Sequence, residues 1–213
     1  MGNRRVSKRR WPWIVGAIAL VLLATIAIYA VPILTHQNAG QSAQDPFTDE
    51  WPLTATAHGA DDRDRRIDIL SADPGASVDT SALAAGDRLV VSGTGFDAAL
   101  GIYVAICVIP EPGGKPGPCL GGVPSTEEGE TIAEGSIQFA PSNWINDDWA
   151  WRLFGARSFD DATSGTFTAY LYVPAPAGEG IDCTTDACGI FTRNDHTAAN
   201  DRVQDLYVPV RFQ

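Results

Sequence analysis

The hydrophobic rhythm of the chain changes twice. From Trp13 to Leu34 no charged residue occurs and Ile, Val, Leu and Ala dominate, so a helix there would be apolar on every side. At about 1.5 Å per residue such a helix crosses a hydrocarbon core of about 30 Å. Residues 36–66 then lose all hydrophobic pattern and are sprinkled with Ala, Asp and Gly, which reads as a juxtamembrane linker. Within it, only Pro46-Phe47 and Trp51-Pro52 have the bulk to pack back onto a domain or a partner. From Ile67 onward the period is two. Leu89 and Val91 alternate with Val90 and Ser92 before a Gly93-Thr94-Gly95 turn, and Ile102, Val104, Ile106 and Val108 share one face of the next segment. Phe167, Ala169, Leu171 and Val173 form another face, and Leu206, Val208, Val210 and Phe212 a last one. Gly, Pro, Asp and Asn bound each segment, and no long helical period competes, which predicts an antiparallel β-sandwich. Pro209, inside the last strand, predicts an edge or a bulge there.

One region resists this pattern. Residues 122–163 are Gly- and acid-rich at first, then carry Phe139, Trp144, Trp149, Trp151, Leu153 and Phe154 around Asp147 and Asp148. A short helix over 143–154 fits, although periodicity alone does not decide it.

Charge orients the first segment. Arg4, Arg5, Lys8, Arg9 and Arg10 precede it and no acid appears before Asp45, so residues 1–12 are expected in the cytoplasm and residues 13–35 as a membrane-spanning signal anchor. The run exceeds the roughly 7–15 residues of a cleaved signal's apolar core, and no small-x-small site follows Leu34. Removing those five basic residues from 15 leaves 10 against 26 acids, about −16 for the extracytoplasmic remainder. Such a surface repels phosphate backbones, so no nucleic acid is expected as a partner. Asp61, Asp62 and Asp64 are interleaved with Arg63, Arg65 and Arg66 and read as a solvated charge run rather than a calcium loop.

Cys107, Cys119, Cys183 and Cys188 form an even set in an exported domain, which argues for two disulfides. Three pairings are open; the local one, Cys107 with Cys119 and Cys183 with Cys188, is the simplest because each pair staples one loop. The spacings do not suit a structural zinc site, and neither metal nor cofactor is expected.

The segment IDCTTDACGIFTRND (181–195) resembles the CTT-x-AC region of the neocarzinostatin family, apoproteins that carry enediyne antibiotics. GDRLVVSGTGFDAALGIYVAIC (86–107) resembles that family's second and third strands, Cys119 matches the Cys that closes the following loop, and DLYVPVRF (205–212) fits its final strand. The resemblance implies a seven-stranded immunoglobulin-like sandwich over residues 67–213, with both disulfides local and residues 122–163 as an insertion. It also implies a ligand cleft beside the first disulfide. In the carriers an aromatic residue stands two positions after the first Cys; here that position is Ile109. The aromatic-rich loop that precedes the second Cys pair in the carriers is here the short VPAPAGEGID (173–182).

Three functional classes follow. As a binder, the domain offers Tyr103, Tyr170, Tyr172 and Tyr207 on the outward phase of their strands; with Ile109 they are the candidate wall for a small hydrophobic ligand. As an accessory subunit of a membrane or envelope complex, it offers Phe139, Trp144, Trp149, Trp151 and Phe154 as a docking surface for a membrane-associated protein partner. The same rings would equally make a mini-core over one end of the sandwich. An enzyme is not expected: His36, His58 and His196 share no cluster, and no nucleophile-elbow, HExxH or phosphate-cradling motif occurs. RNDHTAANDR (193–202) is dense in polar groups but reads as a loop held by Asx turns and ion pairs.

Overall fold

The computed structural model describes residues 11–122, 137–178 and 180–213, divided into two compact units between His36 and Gln37. The first unit is a helix, α1 (Trp11–Thr35), and among the described residues it is the one helix long and apolar enough to cross a membrane. Its two threonine hydroxyls do not interrupt it, because Thr25 and Thr35 donate to the carbonyls of Val21 and Val31 at 2.9 and 2.7 Å. The basic cluster at residues 4–10 lies outside the described residues.

The second unit is built from β1 (Thr54–His58), β2 (Asp64–Ser71), β3 (Arg88–Thr94), β4 (Ile102–Val108), β5 (Ser142–Ile145), α2 (Trp149–Arg152), β6 (Phe167–Tyr172), β7 (Ala177–Gly178), β8 (Ile181–Asp182), β9 (Cys188–Asn194) and β10 (Leu206–Val210). One sheet runs β1-β2-β3-β6 and the other β10-β9-β4-β5, with β7 and β8 as a separate ribbon. All strand pairs are antiparallel. The predicted phases hold: Leu89, Val91, Ile102, Val104, Ile106, Phe167, Ala169, Leu171, Leu206 and Val208 are all buried in one core between the sheets. Pro209 lies in β10, which is an edge strand.

Four expectations are corrected. The described residues hold ten strands rather than seven: four in each sheet and two in the separate β7–β8 ribbon. Residues 36–66 are not a free linker. All but His36 belong to the second unit, and β1 and the start of β2 arise within them. The charge run is folded too: Arg65 is 1% exposed, paired with Asp61 and set over the Phe96 ring, so burial of one guanidinium turns a polar stretch into a strand. Inside the expected insertion, residues 123–136 lie outside the described residues. The 143–154 stretch is not one helix. β5 pairs with β4, and α2 is a single turn started by Asp148, whose side chain accepts from the Ala150 N–H.

Candidate functional site

The β10-β9-β4-β5 sheet carries three of the candidate side chains, Tyr103, Trp144 and Tyr207, with Ile109 just beyond the end of β4. Across β4 and β9, Tyr103 lies opposite Arg193, Ala105 opposite Phe191 and Cys107 opposite Gly189; Phe191 in turn lies opposite Tyr207 of β10. Small residues at 105 and 189 leave room for the two rings, which stack at 4.8 Å with 20° between planes. A Cβ on Gly189 would come within 3.1 Å of Tyr207 and 3.3 Å of Phe191. Ala105, Cys107, Cys119 and Phe191 thus form a small apolar cluster separate from the main core, flanked by Ile109 and Tyr207.

Two segments wall this floor. The first is the Pro- and Gly-rich loop after β4, closed by the Cys107–Cys119 disulfide; the second bridge joins Cys183 to Cys188, so both are local. The second wall is residues 41–47. Gln44 bridges to Ala57 of β1 through its backbone and to Tyr207 of β10 through its side chain, and Phe47 meets the Tyr207 ring edge-on at 5.6 Å. Pro46-Phe47 therefore does pack back onto the domain. Between the walls lies a cavity of about 570 Å³. That volume falls in the range that encloses most of a drug-sized ligand, roughly 300–1,000 Å³.

At the foot of the cavity wall stands Asp205, just before β10. Its side chain is 10% exposed, and Arg202 donates to Oδ2 at 2.9 Å. Burial pushes the carboxyl up to about 7 against the opposing pull of Arg202 and Arg193. Burial also lowers the Arg193 guanidinium, with Asp205 opposing that shift. Arg193 donates to the Pro116 carbonyl at 3.1 Å and so ties β9 to the first wall.

The candidate ligand set divides. Ile109 and Tyr207 line the cavity. Tyr103 is on the same sheet but belongs to a different cluster: it is 9% exposed, its hydroxyl lies 2.9 Å from His196 Nδ1, and its ring packs against Trp144. Tyr170 and Tyr172 are on the opposite sheet, because β6 pairs with β3 and not with β4. Tyr170 there packs against Phe139 and lies under the Arg157 guanidinium.

The candidate docking set divides as well. Trp144 is 6% exposed and its indole N–H donates to Asp195 Oδ2 at 2.8 Å, so it anchors a mini-core with Tyr103, Ala156 and the partly buried Trp151. Trp149 and Phe154 are exposed, together with Leu153, while Phe139 sits with Tyr170 on the other sheet. The dense 193–202 string supplies the frame for this end: Asp195 also accepts from Asn146 and from the Thr197 N–H, and Asn194 donates to the Asp201 carbonyl. No group of three or more metal-binding side chains occurs among the described residues.

Of the candidate ligand residues only Ile109 and Tyr207 line the cavity; Phe191 and Asp205 are among those the sequence reading missed. Phe191 was visible in principle, since alternation in CGIFTRN puts it opposite in phase to the buried Ile190. Asp205 gave no signal, because nothing local distinguishes it from other loop carboxylates.

No curated protein and no solved structure matches the chain. The model of the neocarzinostatin family matches residues 76–205, a span that holds both disulfides, Ile109 and Phe191. That span is more than half of the sequence, and the chain belongs to the neocarzinostatin family.

Proposed function

We propose that this chain is a non-enzymatic, membrane-anchored binding protein whose extracytoplasmic sandwich holds a small hydrophobic ligand in the cavity between residues 41–47 and the Cys107–Cys119 loop. One observation carries the reading: the cavity lies beside the first disulfide, and its wall includes Ile109, the position where the family's carriers place a cleft residue. The aromatic surface that Ile109 lacks comes from Phe47, Phe191 and Tyr207. The apolar helix and the basic residues ahead of it support an anchor with a cytoplasmic N-terminus.

The test is native mass spectrometry of the full chain purified from its source membranes. The expected result is a retained small molecule that Tyr207→Ala and Phe47→Ala release without unfolding the protein. A chain that retains nothing and is indifferent to both variants overturns the reading.

A second reading has its own observation. Trp149, Leu153 and Phe154 are 67%, 72% and 65% exposed around one short helix, more apolar surface than a loop needs for its own packing. It supports the accessory-subunit role, in which a stoichiometric protein partner co-purifies in mild detergent.

A further inference from the structure

The chain enters the second unit at one end of the sandwich. The Ala39 N–H donates to Asp201 Oδ2 at 2.8 Å, and Gln41 forms a backbone bridge with Arg202 while its carbonyl accepts from the Ala60 N–H at 3.0 Å. Asp201 and Arg202 lie in the loop between β9 and β10, and that loop also reaches α2. Its His196 meets the Trp151 ring edge-on at 4.8 Å, and its Asp195 takes the side-chain N–H groups of Trp144 and Asn146. The register agrees, since Ile102 lies opposite both Asn194 at the end of β9 and Ile145 at the end of β5. The entry point and the exposed Trp149, Leu153 and Phe154 therefore share one end of the sandwich. Trp51 marks the other end: it precedes β1, and its ring lies under the Arg211 guanidinium just past β10.

Chain length limits how far this end stands from the bilayer in an anchored protein. Residues 36–38 separate Thr35, the last residue of α1, from Ala39. Extended at about 3.5 Å per residue, the connection from Thr35 to Ala39 spans at most about 14 Å. Three strand spacings, from β10 to β5, cover a similar distance of about 14 Å. A modest tilt brings α2 to the lipid surface while the entry point stays within reach of its tether. The side chains there have interfacial chemistry. A tryptophan ring favours the headgroup layer because it is apolar with one N–H donor, and Arg152, exposed beside Leu153, sits where lipid phosphates would meet it. Trp151 of the same turn is the ring that packs inward against the mini-core.

We propose that this end of the sandwich rests on the extracytoplasmic lipid surface, with Trp149, Leu153 and Phe154 in the interfacial layer. The inference rests on the reading of α1 as an anchor, and it goes beyond that reading by fixing which end of the domain meets the membrane. The chain after its basic N-terminus carries about −16, so an anionic leaflet adds no attraction and apolar burial carries the contact. Salt therefore does not weaken it.

The experiment uses the full chain, labelled with 5-fluorotryptophan, in zwitterionic-lipid nanodiscs. Fluorine NMR resolves the tryptophans, and each resonance is assigned by its disappearance in the corresponding Trp→Phe variant. A lipid bearing a nitroxide near its headgroup is then added to the discs. The Trp149 resonance is expected to be lost to broadening, together with those of Trp11 and Trp13 at the start of α1, while Trp51 at the far end is retained. Replacing both Leu153 and Phe154 with Asp should restore the Trp149 resonance. Both side chains are exposed, and an unmoved Trp144 resonance reports that the mini-core of this variant is folded. Raising the salt concentration should change none of these results.

Retention of the Trp149 resonance beside loss of Trp11 and Trp13 overturns the proposal and leaves the anchor standing. If Trp11 and Trp13 are retained as well, α1 is not in the bilayer and both readings fall. Equal loss at Trp51 means that the domain has no preferred end, and a Trp149 loss that the double Asp variant does not reverse means that the contact lies elsewhere; each overturns the proposal. A Trp149 resonance indifferent to the nitroxide lipid but shifted by a co-purifying protein also overturns it, and assigns the patch to a protein partner.

Discussion

The side chain of Gln44 holds both backbone groups of Tyr207: its Nε2 donates to the Tyr207 carbonyl at 3.1 Å, and its Oε1 accepts from the Tyr207 N–H at 2.8 Å. The geometry is that of a strand partner supplied by one amide. β10 is the edge of its sheet and β1 the edge of the other, and the backbone of Gln44 bridges to Ala57 of β1. A single residue thus closes the open side of the sandwich and protects an edge that would otherwise offer unpaired groups to another chain. The same contact holds residues 41–47 in place as a cavity wall.

Gln44→Ala removes both bonds and leaves a part-buried N–H and carbonyl to find water. A loss of about 1–3 kcal/mol is expected in a denaturant melt of the chain. Amide exchange at Tyr207 should accelerate more than at Ile190, which is central in the same sheet. Equal acceleration at both positions would show that the amide clamp is not local.

The first disulfide should matter to the cavity as well as to stability. Cys107–Cys119 closes the loop that carries Ile109, Pro110 and Pro116. Replacing both Cys with Ser is expected to cost about 2–5 kcal/mol. It should also weaken retention of the small molecule at temperatures where the variant is still folded. Opening Cys183–Cys188, which closes a shorter loop that touches the cavity only through the Ile109 N–H donated to the Ala187 carbonyl at 2.8 Å, should destabilise less and leave most of the binding intact. Loss of binding on opening either bridge would argue against a specific wall.

Asp205 predicts a pH dependence of stability whose sign is fixed. Its folded-state value is about 7. In the unfolded chain an aspartate titrates near about 3.9. Between those values the folded protein keeps a proton that the unfolded chain has released, so this group's contribution to stability falls as pH rises, and the loss is complete above about pH 7. Asp205→Asn removes the titration. Relative to the parent, the ligand-free variant should gain stability from about pH 5 to about pH 8, on the order of a few kcal/mol at most. Parallel stability curves for the two proteins would contradict the assignment.

How much of this was legible in the sequence depends on which force placed each residue. Period-two burial named β3, β4, β6 and β10, with their inward phases, because apolar side chains on a pleated strand have only two directions to choose between. β1 and the start of β2 were invisible, since they are built from Thr, Ala, Asp and Arg, and their burial depends on Arg65 finding Asp61. The outward Tyr residues were correctly placed on their strands, yet they do not form one face. Which strands share a sheet is decided by pairing across the core, and alternation carries no record of it. The cavity was half legible for the same reason: Ile109 and Tyr207 could be named singly, but the wall that joins them comes from residues 41–47, more than sixty positions away from either.

The Trp-rich segment gives the sharpest separation between packing and contact. Trp144 is buried, its N–H is taken by Asp195, and it packs against Tyr103, Trp151 and His196. Trp144→Ala should therefore cost about 3–5 kcal/mol, and the freed Asp195 oxygen adds to the loss. Trp151, whose ring meets His196 edge-on at 4.8 Å, is expected to fall between the extremes. Trp149 is 67% exposed, and Trp149→Ala should stay within about 0.5 kcal/mol of the parent. A contact role predicts the reverse order for partner recovery in mild detergent: Trp149→Ala, with Phe154→Ala, reduces it about tenfold at unchanged melting temperature. If Trp149→Ala leaves every co-purifying protein in place, the exposed patch is surface without a partner, and the accessory-subunit reading loses the only observation that favours it.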